Sequence, residues 1–464
     1  MLVMRNIPFL CSARPFRLLR MILTAIIAAT LSFQPAMAQS ILRDAETEAL
    51  FADMSAPLIS AAGLDPKNVK IILINDKEIN AFVAGGQVVY VHSGLIASSD
   101  NANQVQGVIA HELGHVAGGH VIRFSEGIKV ATGITLLSLV LGVAAIAAGA
   151  GDAGAGIIAA GQQAALGKFL AFTRTQESSA DAAGASYLAK AGISGRGSIA
   201  FFKKLQNIEF RYAIPQEDSY NRTHPLSGER IAVLLERYQI DPAWNAQTDP
   251  ALEARFQRVK AKLKGFVAEP RQTLIDYPEK DKSIPGHYAR AYAWHRSAYP
   301  DKALYEVNSL LSLKPHDPYF LELKGQILLE SGKPTDALPL LREAVSETNA
   351  QPLIASLFGH ALIATEDKAN YAEATRILKA AVAKDNENPF AWYQLGVVYE
   401  QSGDRPRAAL ATAERYHLEG RSKLALLHSE EALRGITKGS ADWIRAEDIA
   451  MVSRTEVEQE KKKR

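Results

Sequence analysis

Between residues 300 and 420 the chain repeats itself. Pro318, Pro352 and Pro389 stand 34 and 37 residues apart, Gly325, Gly359 and Gly396 keep the same intervals, and Ala303, Ala337, Ala374 and Ala408 follow at 34, 37 and 34. A period of 34 is that of tetratricopeptide (TPR) helix pairs, each of which buries its apolar face only by stacking on a neighbour. The expectation is an all-α TPR solenoid over residues 285–435, beginning with a degenerate repeat near Tyr288. The three extra residues of the middle repeat fall in the loop around Asp367 to Asn370. Such arrays bind peptides or protein partners on a concave face and rarely carry catalysis. A C-terminal helix or tail takes residues 436–464, and a connecting segment takes 241–284.

Catalysis must therefore be sought upstream. The 464 residues hold 52 Lys and Arg against 50 Asp and Glu, with 47% hydrophobic residues, which is globular composition without the cationic excess of a nucleic-acid binder. Arg5, Arg14, Arg17 and Arg20 precede an apolar stretch, Met21 to Leu31, and then Ala36-Met37-Ala38. This reads as a secretory signal over residues 1–38 with an A-x-A cleavage site, too short to anchor in a membrane. Cleavage would remove four arginines and no acids, leaving a formal charge of −2, and would carry away Cys11, the one cysteine. Neither a disulfide nor a thiolate metal site is then expected.

Residues 39–240 read as an α+β domain. Leu50, Phe51, Met54, Leu58 and Ile59 are spaced for a helix, Val69 to Leu73 and Val88 to Val91 for strands, and Val105, Val108, Ile109, Leu113 and Val116 for a second helix starting near Asn103. From Val130 to Gly151 there are 22 residues without a charge. The return from Ala153 to Gly167 has 15, about 22 Å of helix. This predicts an apolar helical hairpin over about 128–171, turning at Gly151-Asp152-Ala153-Gly154. Two readings stay open, a buried core hairpin and one that touches a membrane or covers the active site.

The second helix carries His111-Glu112-Leu113-Gly114-His115, the H-E-x-x-H pattern. Four helical residues turn through about 400°, so both imidazoles share one face and can close on a single Zn²⁺ at about 2.0 Å. Glu112, about 100° around, is placed to act as general base on a water at the metal. His120 lies nine residues after His111, about half a turn away, and faces elsewhere unless the helix breaks at Gly118-Gly119, so it reads as a packing or supporting histidine. A third ligand must come from farther on. Glu177, at the start of a helix carrying Ala180-Asp181, is the candidate, with Asp181 one turn on behind it.

With Asn80-Ala81-Phe82, Gly94-Leu95, the His111 to His115 motif, Glu177 with Ala180-Asp181, and Thr223-His224-Pro225-Leu226 with Arg230-Ile231, the chain resembles membrane-associated zinc metallopeptidases of the HtpX and CAAX-prenyl-protease clan. The resemblance covers nearly the whole chain after the signal. It implies a zincin-type metalloprotease domain holding one Zn²⁺ on His111, His115 and Glu177, with Asp181 orienting a metal-bound histidine. It also implies that His224 reaches the fourth metal position as a latch and that Arg230 binds a substrate carbonyl or oxyanion. Ser227-Gly228 replaces a proline frequent in relatives and loosens the turn after His224.

The expected function is that of a periplasmic zinc-dependent endopeptidase. By the resemblance it degrades misassembled outer-membrane β-barrel proteins and assists their assembly, its repeats docking the assembly machinery. From its own arm lengths, of which only the first is long enough to span, the hairpin is expected to make peripheral contact with a membrane or the substrate channel without crossing. No nucleic-acid partner is expected. Substrate would lie along the Val88 to Val91 strand by β-augmentation. From another class, the chain would be a TPR chaperone or scaffold for outer-membrane assembly with a structural zinc; Glu112 separates the two, since a structural site has no use for a general base.

Overall fold

The computed structural model describes residues 41–147, 150–212, 224 and 228–463. The expected signal and its cleavage site lie outside the described residues, as do Thr223 and residues 225–227 beside His224.

Strands β1 (Ile41–Leu42), β2 (Lys70–Ile74), β3 (Ala81–Ala84) and β4 (Val88–His92) form one mixed sheet in the order β1-β2-β4-β3. β4 runs parallel to β2, with Lys70 opposite Val88, and antiparallel to β3, with Ala81 opposite Val91. Gly85 and Gly86 supply positive φ, +62° and +95°, for the tight turn between β3 and β4. The expectation that β4 receives a peptide therefore fails, because both its edges are already paired. Its run of β-branched residues is what an inner strand needs. Among the described residues the edge on that side of the sheet is β3.

Helices α1 (Ala45–Ala61), α2 (Ser93–Ser98) and α3 (Ala102–Gly118) follow the sheet's connections. Leu50, Met54 and Leu58 of α1 share a core with Val89 and Val91 of β4 and with Val105, Ile109 and Leu113 of α3. The Asn101 side chain caps α3 by accepting the Gln104 N–H at 3.0 Å, and Gly119 ends it at φ +63°. Every residue from Ala102 to His115 is buried, so α3 is the axis of the domain.

The apolar hairpin comprises α4 (His120–Ala147) and α5 (Gly151–Lys190). Two details depart from expectation. Gly151 to Gly154 begin α5 rather than forming the turn, and the helix expected to start near Arg174 is the last part of α5, which runs unbroken for 40 residues. Nothing around Gly167-Lys168 stops a helix, because Ala, Leu, Gln and Lys all favour one. α5 crosses α3 at unusually close range. A β-carbon on Gly114 would lie 2.6 Å from the Ala180 carbonyl oxygen, and one on Gly184 would lie 3.0 Å from the Ala110 carbonyl.

Helices α6 (Arg196–Tyr212), α7 (Gly228–Gln239), α8 (Pro250–Val267) and α9 (Pro270–Asp276) lead to the repeats. A buried ionic seam joins the two regions. Arg258 of α8 pairs with Glu46 of α1 and, bidentately at 2.6 and 2.9 Å, with Asp317, while Lys262 reaches Asp44 at 2.5 Å and Glu46 at 3.3 Å. Tyr288 donates to Glu46 at 2.7 Å.

From Ile284 the chain is a TPR-like stack of antiparallel helix pairs: α10 (Ile284–Arg296) with α11 (Pro300–Leu313), α12 (Pro318–Glu330) with α13 (Pro334–Glu347), α14 (Pro352–Ala364) with α15 (Tyr371–Lys384), α16 (Pro389–Gln401) with α17 (Arg405–Leu418), and α18 (Ser422–Gly435) with α19 (Ala441–Lys463). The recurring prolines sit at helix starts, where the missing N–H costs nothing. Two of the recurring glycines are packed against a neighbouring helix: a β-carbon on Gly325 of α12 would stand 2.6 Å from the Leu341 side chain and one on Gly359 of α14 2.5 Å from Leu378, whereas Gly396 of α16 has room for one. The extra residues of the middle repeat form a 3₁₀ turn, Lys368–Asn370.

Gly114→Ala tests the crossing of α3 and α5. Its methyl must displace backbone, so the urea unfolding midpoint should fall by the equivalent of about 1–3 kcal/mol; an unchanged midpoint would show that the helices separate freely.

Candidate metal centre

The crossing of α3 and α5 sets two histidines against two carboxylates. His111 and His115 project from one face of α3, and Glu177 and Asp181 from the facing side of α5. All four are buried, as is His224 from the chain beyond α6. His111 Nε2 lies 3.2 Å from His115 Nε2, 3.3 Å from His224 Nδ1 and 3.4 Å from Glu177 Oε2. Glu177 Oε1 lies 3.3 Å from His115 Nε2 and 3.1 Å from His224 Nδ1. Four donors bound at 2.0–2.1 Å in a tetrahedron stand about 3.3 Å apart. The donor set therefore fits a tetrahedral divalent cation with nitrogen and carboxylate preferences.

Around this set the polar groups are placed to support it. His111 turns its other nitrogen, Nδ1, toward Asp181 Oδ1 at 3.0 Å. Arg230 of α7 grips Asp181 with Nε at 2.7 Å and Nη2 at 2.9 Å, and Nη2 also reaches Glu177 Oε2 at 3.2 Å. Expected beside the substrate, Arg230 thus spends two of its nitrogens on Asp181, behind the donor set, and on the donor Glu177. Its fork matches a carboxylate, and it is Asp181 that takes both prongs.

Glu112 is completely buried on α3, and neither of its oxygens has a hydrogen-bond partner among the described residues. His224 Nε2 lies 3.5 Å from its Oε1. His224 thus spans the cluster, with Nδ1 among the donors and Nε2 toward Glu112.

His120 was placed by helical geometry on the far side. The left-handed Gly119 breaks the helix and turns it back, so that its Nδ1 meets His115 Nδ1 at 2.9 Å and its Nε2 meets Ser179 Oγ at 3.0 Å. The glycine pair was the visible signal for this return.

Burial opposes charge throughout the cluster, yet the proximity of Asp181 and Glu177 raises His111 to about 10. Burial likewise works against Glu177, but the charge of His224 and the two α3 histidines hold it far below the usual carboxylate range. His120 is pushed down to about 4 by burial and then by His115, which keeps it neutral. A cleft of about 230 Å³ opens on this centre, lined by Phe82 and Val83 of β3, Glu112, His115, and Val121 and Phe124 at the base of α4. The edge strand of the sheet thus borders the cluster.

An H-E-x-x-H helix crossed by a carboxylate helix, with an edge strand along the cleft, is the arrangement of a metallopeptidase. Residues 25–238 match the model of Peptidase family M48, and the chain carries a peptidase domain of that family. It is 26% identical over 381 residues to the "Beta-barrel assembly-enhancing protease" of Yersinia pestis, covering 80% of this chain and 76% of that one. It is 33% identical over 182 residues to "Metalloprotease LoiP" of Escherichia coli (strain K12), covering 38% and 64%. Among solved structures, the TPR protein YrrB matches 39% of this chain and 92% of its own, at 22% identity and a TM-score of 0.32.

Metal binding should be proton-linked. Without a cation His111 stays protonated until pH approaches about 10, so a metal must displace that proton at neutral pH. Affinity should rise with pH toward that value, about tenfold per unit for one displaced proton. The metal-free fold should lose stability over the same rise, since a raised pKa stabilises most below the ordinary histidine value. Chelator competition and urea unfolding between pH 6 and 9 check both signs; an affinity flat with pH would exclude proton displacement.

Proposed function

We propose that the chain is a zinc-dependent endopeptidase of the periplasm that cleaves misassembled outer-membrane β-barrel proteins. The observation that carries the metal assignment is the set of five donor–donor distances between 3.1 and 3.4 Å among His111, His115, Glu177 and His224. Nitrogen-rich donors at that spacing favour zinc over calcium or magnesium. Zinc held there would polarise a scissile carbonyl and acidify water.

The rest is the work of the chain's own groups. Glu112 takes a proton from the attacking water at Oε and returns it to the departing amide nitrogen, so atoms and charge balance over the hydrolysis. Asp181 holds His111 in the tautomer that turns Nε2 inward, and Arg230 positions Asp181 and Glu177. His120 accepts from His115 Nδ1 and fixes that ring. Substrate lies extended along β3, whose backbone pairs with it largely without regard to sequence. Such reading suits unpaired strands of β-barrel proteins, in keeping with the name of the Yersinia relative. The repeats would dock the assembly machinery, and the A-x-A segment at Ala36 to Ala38 supports export.

The unfolded β-barrel protein should be cleaved by the wild type and protected by chelator, and Glu112→Gln should slow cleavage by about 10²–10⁴-fold. Equal cleavage by the variant would end the peptidase reading and favour a chaperone or scaffold with a structural zinc.

His224 serves as a latch. Occupying the fourth donor position with Nδ1 while facing Glu112 with Nε2, it closes both halves of the machinery until the His224 side chain withdraws. His224→Ala should raise peptidase activity while retaining metal, and Glu112→Gln should abolish it in either background. Lost activity in His224→Ala with zinc still bound would instead make His224 a donor to the reacting substrate.

A further inference from the structure

The hairpin of α4 and α5 is inside out for a structure in water. Its seam buries small residues: Gly127, Ser138 and Gly142 from α4, and Gly154 and Ala165 from α5. A β-carbon on Gly154 would stand 2.5 Å from the Gly142 carbonyl oxygen, so the arms meet backbone to backbone. The large apolar residues face outward, with Leu136 and Leu137 each 61% exposed and Val140 60%. Leu139, Leu141 and Val143 are also exposed. A helix pair in water puts such residues on its seam; small residues inside and large ones outside is the arrangement of helices that meet hydrocarbon. Thr135 and Ser138 satisfy their hydroxyls by donating to the carbonyls of Ala131 at 3.0 Å and Thr135 at 2.8 Å, so neither needs water.

The arms differ in a way that sets the depth. α5 exposes Asp152, Gln162, Gln163 and Lys168 among small residues, and its exposed large apolar residues, Ile157, Leu166 and Leu170, are fewer than those of α4. Its 15 uncharged residues from Ala153 to Gly167 make about 22 Å, short of a hydrocarbon core of about 30 Å, and they contain both glutamines. Near the base of the hairpin, Arg123, Lys129, Lys168 and Arg174 are all exposed, against the acid Glu126 there and Asp152 at the tip. That excess of cations complements anionic headgroups.

We propose that α4 lies in one leaflet of an anionic bilayer, its large apolar side chains among the acyl chains and α5 turned toward water. This goes beyond the peptidase reading and does not depend on it. It has a consequence for the cleft, however. Val121 and Phe124 belong both to α4 and to the cleft wall, so the lipid surface would run beside the metal centre.

The test uses residues 39–464, which contain the compact unit Ile41–Arg464 and no native cysteine. The protein should float with vesicles of phosphatidylethanolamine and phosphatidylglycerol (3:1) at least tenfold more than with phosphatidylcholine. Leu136→Asp with Val140→Asp should reduce flotation at least tenfold. A fluorophore on Leu137→Cys should be quenched from within the hydrocarbon, and one on Gln163→Cys by an aqueous quencher; these single labels decide the matter should the double variant fail to fold. Absence of flotation overturns the proposal, as does a double variant that changes oligomeric mass instead, which would make the face a contact between copies. Quenching of both labels from the hydrocarbon would mean a spanning hairpin and overturns it too.

Discussion

The metal centre depends on one close contact between backbones. Gly114 sits inside the H-E-x-x-H motif, between the residues that carry the chemistry, and its missing side chain lets α3 rest on Ala180 of α5. Gly184 does the same from the other helix, against Ala110 and His111. With ordinary side chains at these positions the axes would stand farther apart, toward the usual 8–10 Å or beyond. Glu177 would then be withdrawn from His111 and His115. The donor spacing of 3.1–3.4 Å is thus a property of helix packing before it is a property of the ligands.

Burying three imidazoles beside two carboxylates carries a large desolvation cost, and the structure offsets it by pairing. Arg230 neutralises Asp181 and leans on Glu177, while Asp181 supports His111. A second buried network, Arg258 and Lys262 with Asp44, Glu46 and Asp317, is built on the same principle at the junction with the repeats. Removing one member of such a pair strands a buried charge at a cost of about 3–5 kcal/mol. The ionic seam therefore opposes independent movement of α8 and the first repeats.

What the sequence made legible follows the range of the interactions. His111, Glu112 and His115 lie within five residues, where helical geometry alone relates them. The TPR period was legible because each repeat buries the next with the same small residues. Glu177 lies 62 residues after His115 and came from a family resemblance, because nothing local relates α5 to α3. β4 was taken for an edge since its own residues do not encode which strands flank it; only the pairing with β2 and β3 does. The continuity of α5 was hidden by the change from an apolar to a polar surface near Arg174, which marks a change of surroundings and not a helix end. His120 was misplaced by assuming an unbroken helix, though Gly119 was there to break it.

That continuity gives α5 two roles in one rod. Its C-terminal part packs into the core with Ala180, Ala185 and Leu188 buried, and its N-terminal part leaves the domain with α4. A force or displacement applied to the exposed arms reaches Glu177 and Asp181 through helical hydrogen bonds, without a loop to absorb it. α4 communicates differently, because the left-handed Gly119 lies between it and the zincin-type motif on α3. Across that break the connection is His120, held between His115 and Ser179 of α5. One imidazole thus ties the two arms of the hairpin to the metal-facing histidine. A shift of α4 alone, with α5 held in place, would therefore reach the donor set through the His120 contacts, whereas a shift of α5 carries Glu177 with it.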